Sequence, residues 1–188
     1  MKRTLASLLA SLVLAGCGSL NNKHAPEALP DTALAGGNGV VILSTGAKET
    51  CVATSTFLKV KEADDSYWGG GKAHLSVDGY AVKSDFADHP GHVHALSLPP
   101  GRYYLAPFIA NPYVTAVRVP RYDFVVNANE VVYLGEYFMP VQCLWSTVGV
   151  FSDKAERDLQ MVKARKPSLN LDSVRKSIAV PTGLAVGK

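Results

Sequence analysis

The chain has 188 residues, 47% of them hydrophobic and 19% charged, with a formal net charge of +3. That length favours one domain, and the apolar share is enough for a packed core and excludes wholesale disorder. The charge is too mild for a nucleic-acid surface, and three cysteines are too few for a disulfide scaffold or a cysteine-only zinc site.

Lys2 and Arg3 open the chain, and an apolar run follows from Leu5 to Ala15, broken only by Ser7 and Ser11. Its eleven residues fall well short of the roughly 20 that a spanning helix needs, so it reads as the core of a secretory signal. The run ends in Leu14-Ala15-Gly16-Cys17, which resembles the lipobox of bacterial lipoproteins. The resemblance implies cleavage after residue 16, lipid on the Cys17 thiol and acylation of the new amino terminus. An ordinary cleaved signal with an incidental cysteine is the competing reading. Several acyl chains anchor stably where one binds reversibly. Gly18 stands where Asp would resemble an inner-membrane retention signal, so the expected address is the outer membrane, facing the periplasm. Loss of residues 1–16 leaves 188 − 16 = 172 residues and a Lys-plus-Arg against Asp-plus-Glu balance of 17 − 16 = +1.

Cys51 and Cys143 then remain, 143 − 51 = 92 residues apart. In an oxidising periplasm an even remainder suggests a disulfide, the alternative being two buried thiols that never meet. Closing that loop stabilises by at most about 4.6 kcal/mol in the chain-entropy model.

Residues 17–38, rich in Gly, Asn, Pro and Ala, read as a flexible tether of roughly 25 Å mean reach, with His24 solvated. From residue 39 to 151 the pattern is β. Val40–Leu43 is a short buried strand, and Cys51–Lys61 alternates. Leu75–Val82 holds a hairpin signal at Asp78-Gly79. His92–Leu98 runs into Pro99-Pro100-Gly101, a type II turn with Tyr103–Ile109 as the returning partner strand. Val114–Val119 and Tyr122–Val126 are separated by Pro120, which belongs at an edge or bend. Asn127-Ala128-Asn129 is a loop before Glu130–Phe138, and Ser146–Phe151 is a last candidate strand. Seven to eight short strands at this spacing predict an antiparallel β-sandwich. The period then changes. Ala155, Leu159 and Val162 form one helical stripe, Asp153 and Glu156 suit the first turn, Lys163, Arg165 and Lys166 the last, and Pro167 stops it. A C-terminal helical segment, 152–180, is expected to pack on the sandwich, with a second short helix over Leu171–Ile178 and a frayed tail at 181–188.

Three segments in order, Leu98-Pro-Pro-Gly-Arg-Tyr-Tyr-Leu105, Phe124-Val-Val-Asn-Ala-Asn-Glu-Val-Val-Tyr-Leu-Gly-Glu136 and a charged helix from Ser152, resemble a group of bacterial lipoprotein domains. These have a sandwich related to the carboxypeptidase regulatory domain and to transthyretin. The resemblance spans residues 40 to about 170, implies no assigned activity and supplies no catalytic residues.

Chemistry concentrates at Asp85, Asp88, His89, His92 and His94. His92 and His94 share a strand face and can chelate zinc or copper, with Asp88 or His89 completing a site. Leu96 and Leu98 share that parity, so the plain structural reading is the wet end of a core-facing strand. Tyr67 and Trp68 precede Gly69-Gly70-Gly71, which lacks the first Gly and the Ser/Thr of a phosphate loop. They either touch a glycan or a partner protein, or fold over the sandwich edge. Glu130 and Glu136 agree in parity but do not by that make a catalytic pair. Neither Gly-x-Ser-x-Gly nor His-Glu-x-x-His occurs. The expectation is a non-catalytic lipoprotein module with an envelope protein partner, no nucleic acid and no cofactor beyond its lipid anchor. Metal binding through the histidines is the alternative.

Overall fold

The computed structural model describes residues 20–52, 55–110, 118–140 and 148–186. Alternation of apolar and polar side chains builds two sheets there. The first places β1 (Gly39–Ala47) between β4 (Gly91–Leu98) and β7 (Val131–Met139). The short β8 (Val150–Ser152) and β9 (Arg175–Lys176) also pair with β7. The second sheet runs β10 (Gly183–Val186), β6 (Arg118–Val126), β5 (Gly101–Ala110), β2 (Ser55–Glu62), β3 (Ala73–Ser76). One helix, α1 (Ala155–Arg165), covers the first sheet.

Alternate residues of both sheets meet in one apolar layer. Val41, Leu43, Leu96, Val132 and Leu134 come from the first, and Leu58, Val60, Leu105, Tyr122 and Phe124 from the second. Each such burial of a Val or Leu contributes about 1.5–3 kcal/mol. The outer face of the first sheet, with Val40, Ile42, Val93 and Tyr133, receives Ala155 and Val162 of α1 together with Leu29 and Ala33. The outer face of the second sheet carries Tyr104, Ala106 and Val119, over which Tyr67 and Trp68 fold.

The architecture is thus mainly β, with several departures from the sequence reading. Ten strands occur among the described residues, not seven to eight. β1 pairs with β7 in parallel, as β9 does with β7, so the first sheet is mixed rather than antiparallel. Pro99-Pro100 does not turn a hairpin: it carries the chain from β4 in one sheet to β5 in the other. The β2–β3 hairpin turns between Glu62 and Ala73, not at Asp78-Gly79. Pro120 lies within β6, opposite Leu184 of β10 and outside the β5 pairing, where its missing N–H costs no β5 hydrogen bond.

The ends of the domain differ too. Within the expected tether, residues from Leu20 onward are folded. A 3-10 turn spans Pro26–Ala28, and Ala25, Pro26, Leu29 and Ala33 are buried against β4 and α1. The second helix over Leu171–Ile178 is absent, the chain there making β9, and residues 183–186 of the expected frayed tail pair with β6 as β10. Asn129 does adopt the left-handed conformation expected of its loop, with φ of 57°. The signal segment with Cys17, Val114–Val117 and Cys143, and Ser146–Thr147 of the last expected strand, lie outside the described residues.

Candidate functional site

A polar cluster sits at the seam between α1 and the first sheet. The local cause is a β-bulge. Ile42 pairs with Tyr133 but Ser44 pairs with Glu136, so two steps on β1 match three on β7. Gly135 absorbs the extra residue with φ of +100°, a conformation that favours glycine. An added Cβ would stand 2.8 Å from the Ser152 carbonyl oxygen. The bulge turns both Tyr133 and Glu136 toward the helix, although they are three residues apart.

Asp158 projects from α1 into this seam and is 0% exposed. Its Oδ2 accepts hydrogen bonds from Ser44 Oγ at 2.6 Å and Tyr133 OH at 2.7 Å, and its Oδ1 accepts from Arg157 Nε at 2.8 Å. Arg157 also donates to Glu136 Oε1 at 2.8 Å and lies 3.8 Å over the Phe86 ring. His89 Nε2 meets the same Glu136 oxygen at 3.2 Å, and its Nδ1 meets Asp88 Oδ1 at 2.9 Å. A neutral imidazole can donate to only one of those two carboxylates. The Lys154 amide donates to Tyr133 OH at 3.1 Å, and the Ala155 amide to Asp153 Oδ1 at 2.8 Å, so the same seam organises the start of α1. Burial, reinforced by the adjacent Asp158 carboxylate, pushes the Tyr133 phenol up. Burial would lower the Arg157 guanidinium, but bonding to Glu136 and Asp158 outweighs it and leaves it raised. The seam therefore clamps helix to sheet. Two buried carboxylates are matched to one arginine, two hydroxyls and a histidine.

The histidine cluster does not assemble as four ligands. His89 is held by Asp88 and Glu136 on the α1 side. His92 and His94 point to the opposite, inter-sheet side, their ring centroids 6.1 Å apart. His94 Nε2 lies 2.9 Å from Thr45 Oγ1, and its Nδ1 lies 3.2 Å from Asn22 Oδ1. Burial holds the His94 imidazole well below its ordinary value, and it lowers His92 as well. The His92 Nδ1 is buried without a hydrogen-bond partner. Among the described residues, no group of three or more His, Cys, Asp or Glu is arranged to hold a metal.

Tyr67 is buried, its hydroxyl donating to the Pro107 carbonyl at 2.9 Å, and burial with the nearby Tyr104 pushes its phenol up to about 12. Trp68 packs edge-on against it at 5.3 Å. The Lys61 ammonium donates to the Trp68 and Gly70 carbonyls at 3.2 and 2.7 Å, pinning the glycine stretch onto the sheet. The loop folds over the sheet, with Tyr67 buried and Trp68 partly buried.

Sequence reasoning missed Ser44, Tyr133, Arg157 and Asp158. One signal was present: Asp158 falls on the stripe with Ala155 and Val162, an acid in a row of core positions. Strand parity could not find Tyr133 with Glu136, because the bulge breaks it. Nor does Glu130 join Glu136, being bound instead by Arg175 at 2.6 Å. No helix among the described residues is long and apolar enough to cross a membrane. The chain matches no protein-family model and no curated protein.

Proposed function

We propose that the chain is a non-catalytic lipoprotein of the outer membrane whose periplasm-facing β-sandwich serves as a binding or structural module for an envelope protein. The observation that carries this reading is Leu14-Ala15-Gly16-Cys17 at the end of an eleven-residue apolar run. The apolar layer shared by two sheets supports the sandwich, in keeping with the resemblance to carboxypeptidase-regulatory and transthyretin-like domains. The polar side chains best suited to chemistry, Glu136, Arg157, Asp158 and His89, are committed to one another at the helix seam, which supports a structural use for them. The reading pairs Cys51, which is buried, with Cys143 in a disulfide.

Cell fractionation tests the anchor. Wild type is expected in the membrane pellet and released by detergent alone, and Cys17→Ser in the soluble fraction. Wild type recovered as soluble protein would overturn the reading. Crosslinking in intact cells tests the module, the expected result being one dominant envelope protein. The alternative, metal binding by the histidine cluster of His89, His92 and His94, keeps only His92 and His94 on one face and has in its favour the unpartnered Nδ1 of His92. Calorimetry with zinc and copper is expected to show nothing tighter than millimolar. Tight binding abolished by His92→Ala with His94→Ala would establish the alternative instead.

A further inference from the structure

One end of the domain gathers exposed apolar side chains. Leu20, Val52 and Tyr80 are 65%, 76% and 59% exposed. They are brought together by residues 79–83, where Cys51 bridges to Gly79 and Leu20 bridges to Val82. Leu20 is fastened firmly. Its amide donates to the Ala81 carbonyl at 2.6 Å, and the Lys83 amide donates to its own carbonyl at 2.9 Å. Beyond it the Asn22 side chain donates to the Val93 carbonyl at 2.8 Å, and the His24 carbonyl accepts the Ala95 amide at 2.8 Å. A cleft of about 450 Å³ opens beside this patch, with Tyr80, Val82 and Phe86 in its wall.

We propose that this end is the membrane-facing surface of the domain and that its occupant is the lipid bilayer interface. The proposal rests on lipidation of Cys17, as argued above. Three peptide units lead from Cys17 to Leu20, a span of at most about 11 Å. The headgroup layer of one leaflet is roughly 5–8 Å deep. A lipidated Cys17 therefore keeps Leu20, and the residues 79–83 bonded to it, at the outer edge of the headgroups. The freedom that a tether through residue 38 would have given is lost. The opposite end, with Pro99-Pro100 and Asn127-Ala128-Asn129, is about 26 Å away along β1 and faces the periplasm. Lys48 and Lys83 at the near end are accompanied by Glu49 and Asp88, so apolar side chains rather than net charge make the contact. Added salt is expected to change it little.

The test uses full-length protein extracted from membranes and reconstituted into phosphatidylethanolamine–phosphatidylglycerol vesicles doped with a photoactivatable lipid. Flotation reports the anchor, and mass spectrometry maps the crosslinks. The expected result is flotation with crosslinks concentrated in residues 20–23, 48–52 and 79–88 and none at 99–102 or 127–130. Leu20→Asp with Tyr80→Asp should float equally and lose at least five-fold of the crosslinks. Floating protein with crosslinks spread evenly, or centred on the opposite end, overturns the orientation while leaving the anchor intact. Protein that does not float overturns the anchor and the orientation with it.

Discussion

Asp158 shows how one side chain can decide the attachment of an element. Its two oxygens accept from Ser44, Tyr133 and Arg157. Replacing it with Ala strands two hydroxyls and part of a guanidinium in a buried seam. Breaking a buried pair from one side costs about 3–5 kcal/mol, and the partial exposure of Arg157 places Asp158→Ala at about 3 kcal/mol. Tyr133→Phe removes the bond to the Asp158 carboxylate and the one from the Lys154 amide, and is expected to cost about 2 kcal/mol. Urea denaturation at neutral pH measures both. A loss below about 0.5 kcal/mol for Asp158→Ala would show that the clamp is not what holds α1 to the sheet.

The bulge in β7 is what makes that clamp possible. Without the extra residue, Tyr133 and Glu136 would point to opposite faces, as strict alternation requires. Gly135→Ala is expected to destabilise by about 2–3 kcal/mol, since it combines a positive φ with a backbone oxygen 2.8 Å from the new Cβ. Thermal melting of this variant at wild-type stability would contradict the assignment. The same bulge marks the limit of what the sequence made legible. Val41, Leu43, Leu58 and Val60 alternate and could be read as strand cores, and α1 announced itself through Ala155 and Val162. Sheet membership could not be read, because it depends on long-range pairing. Pro99-Pro100-Gly101 looks the same whether it turns within a sheet or crosses to the other. The segment around Leu29 and Ala33 reads as linker because its few apolar residues have no period, yet each finds a place against β4 or α1.

At the scale of the whole molecule, three histidines give stability a common pH dependence. Burial is the largest cause lowering His24, His92 and His94 below the ordinary value of 6.5. As pH falls through 6.5 the unfolded chain takes up protons first, so stability is full above that value and declines below it. Each fully buried imidazole contributes a slope of up to about 1.4 kcal/mol per pH unit, and His94 contributes the most. The melting temperature is expected to be lower at pH 5 than at pH 7.5, with the difference reduced in His94→Gln. A melting temperature that holds or rises on acidification would contradict this.

The address and the orientation proposed for the domain both depend on Cys17 becoming a lipidated amino terminus. Intact-mass and peptide mass spectrometry of the protein purified from its native membrane tests it directly. The expected product is a chain starting at Cys17, short of residues 1–16 and heavier by its acyl groups. A chain that keeps residues 1–16, or one that starts elsewhere with an unmodified Cys17, would contradict it.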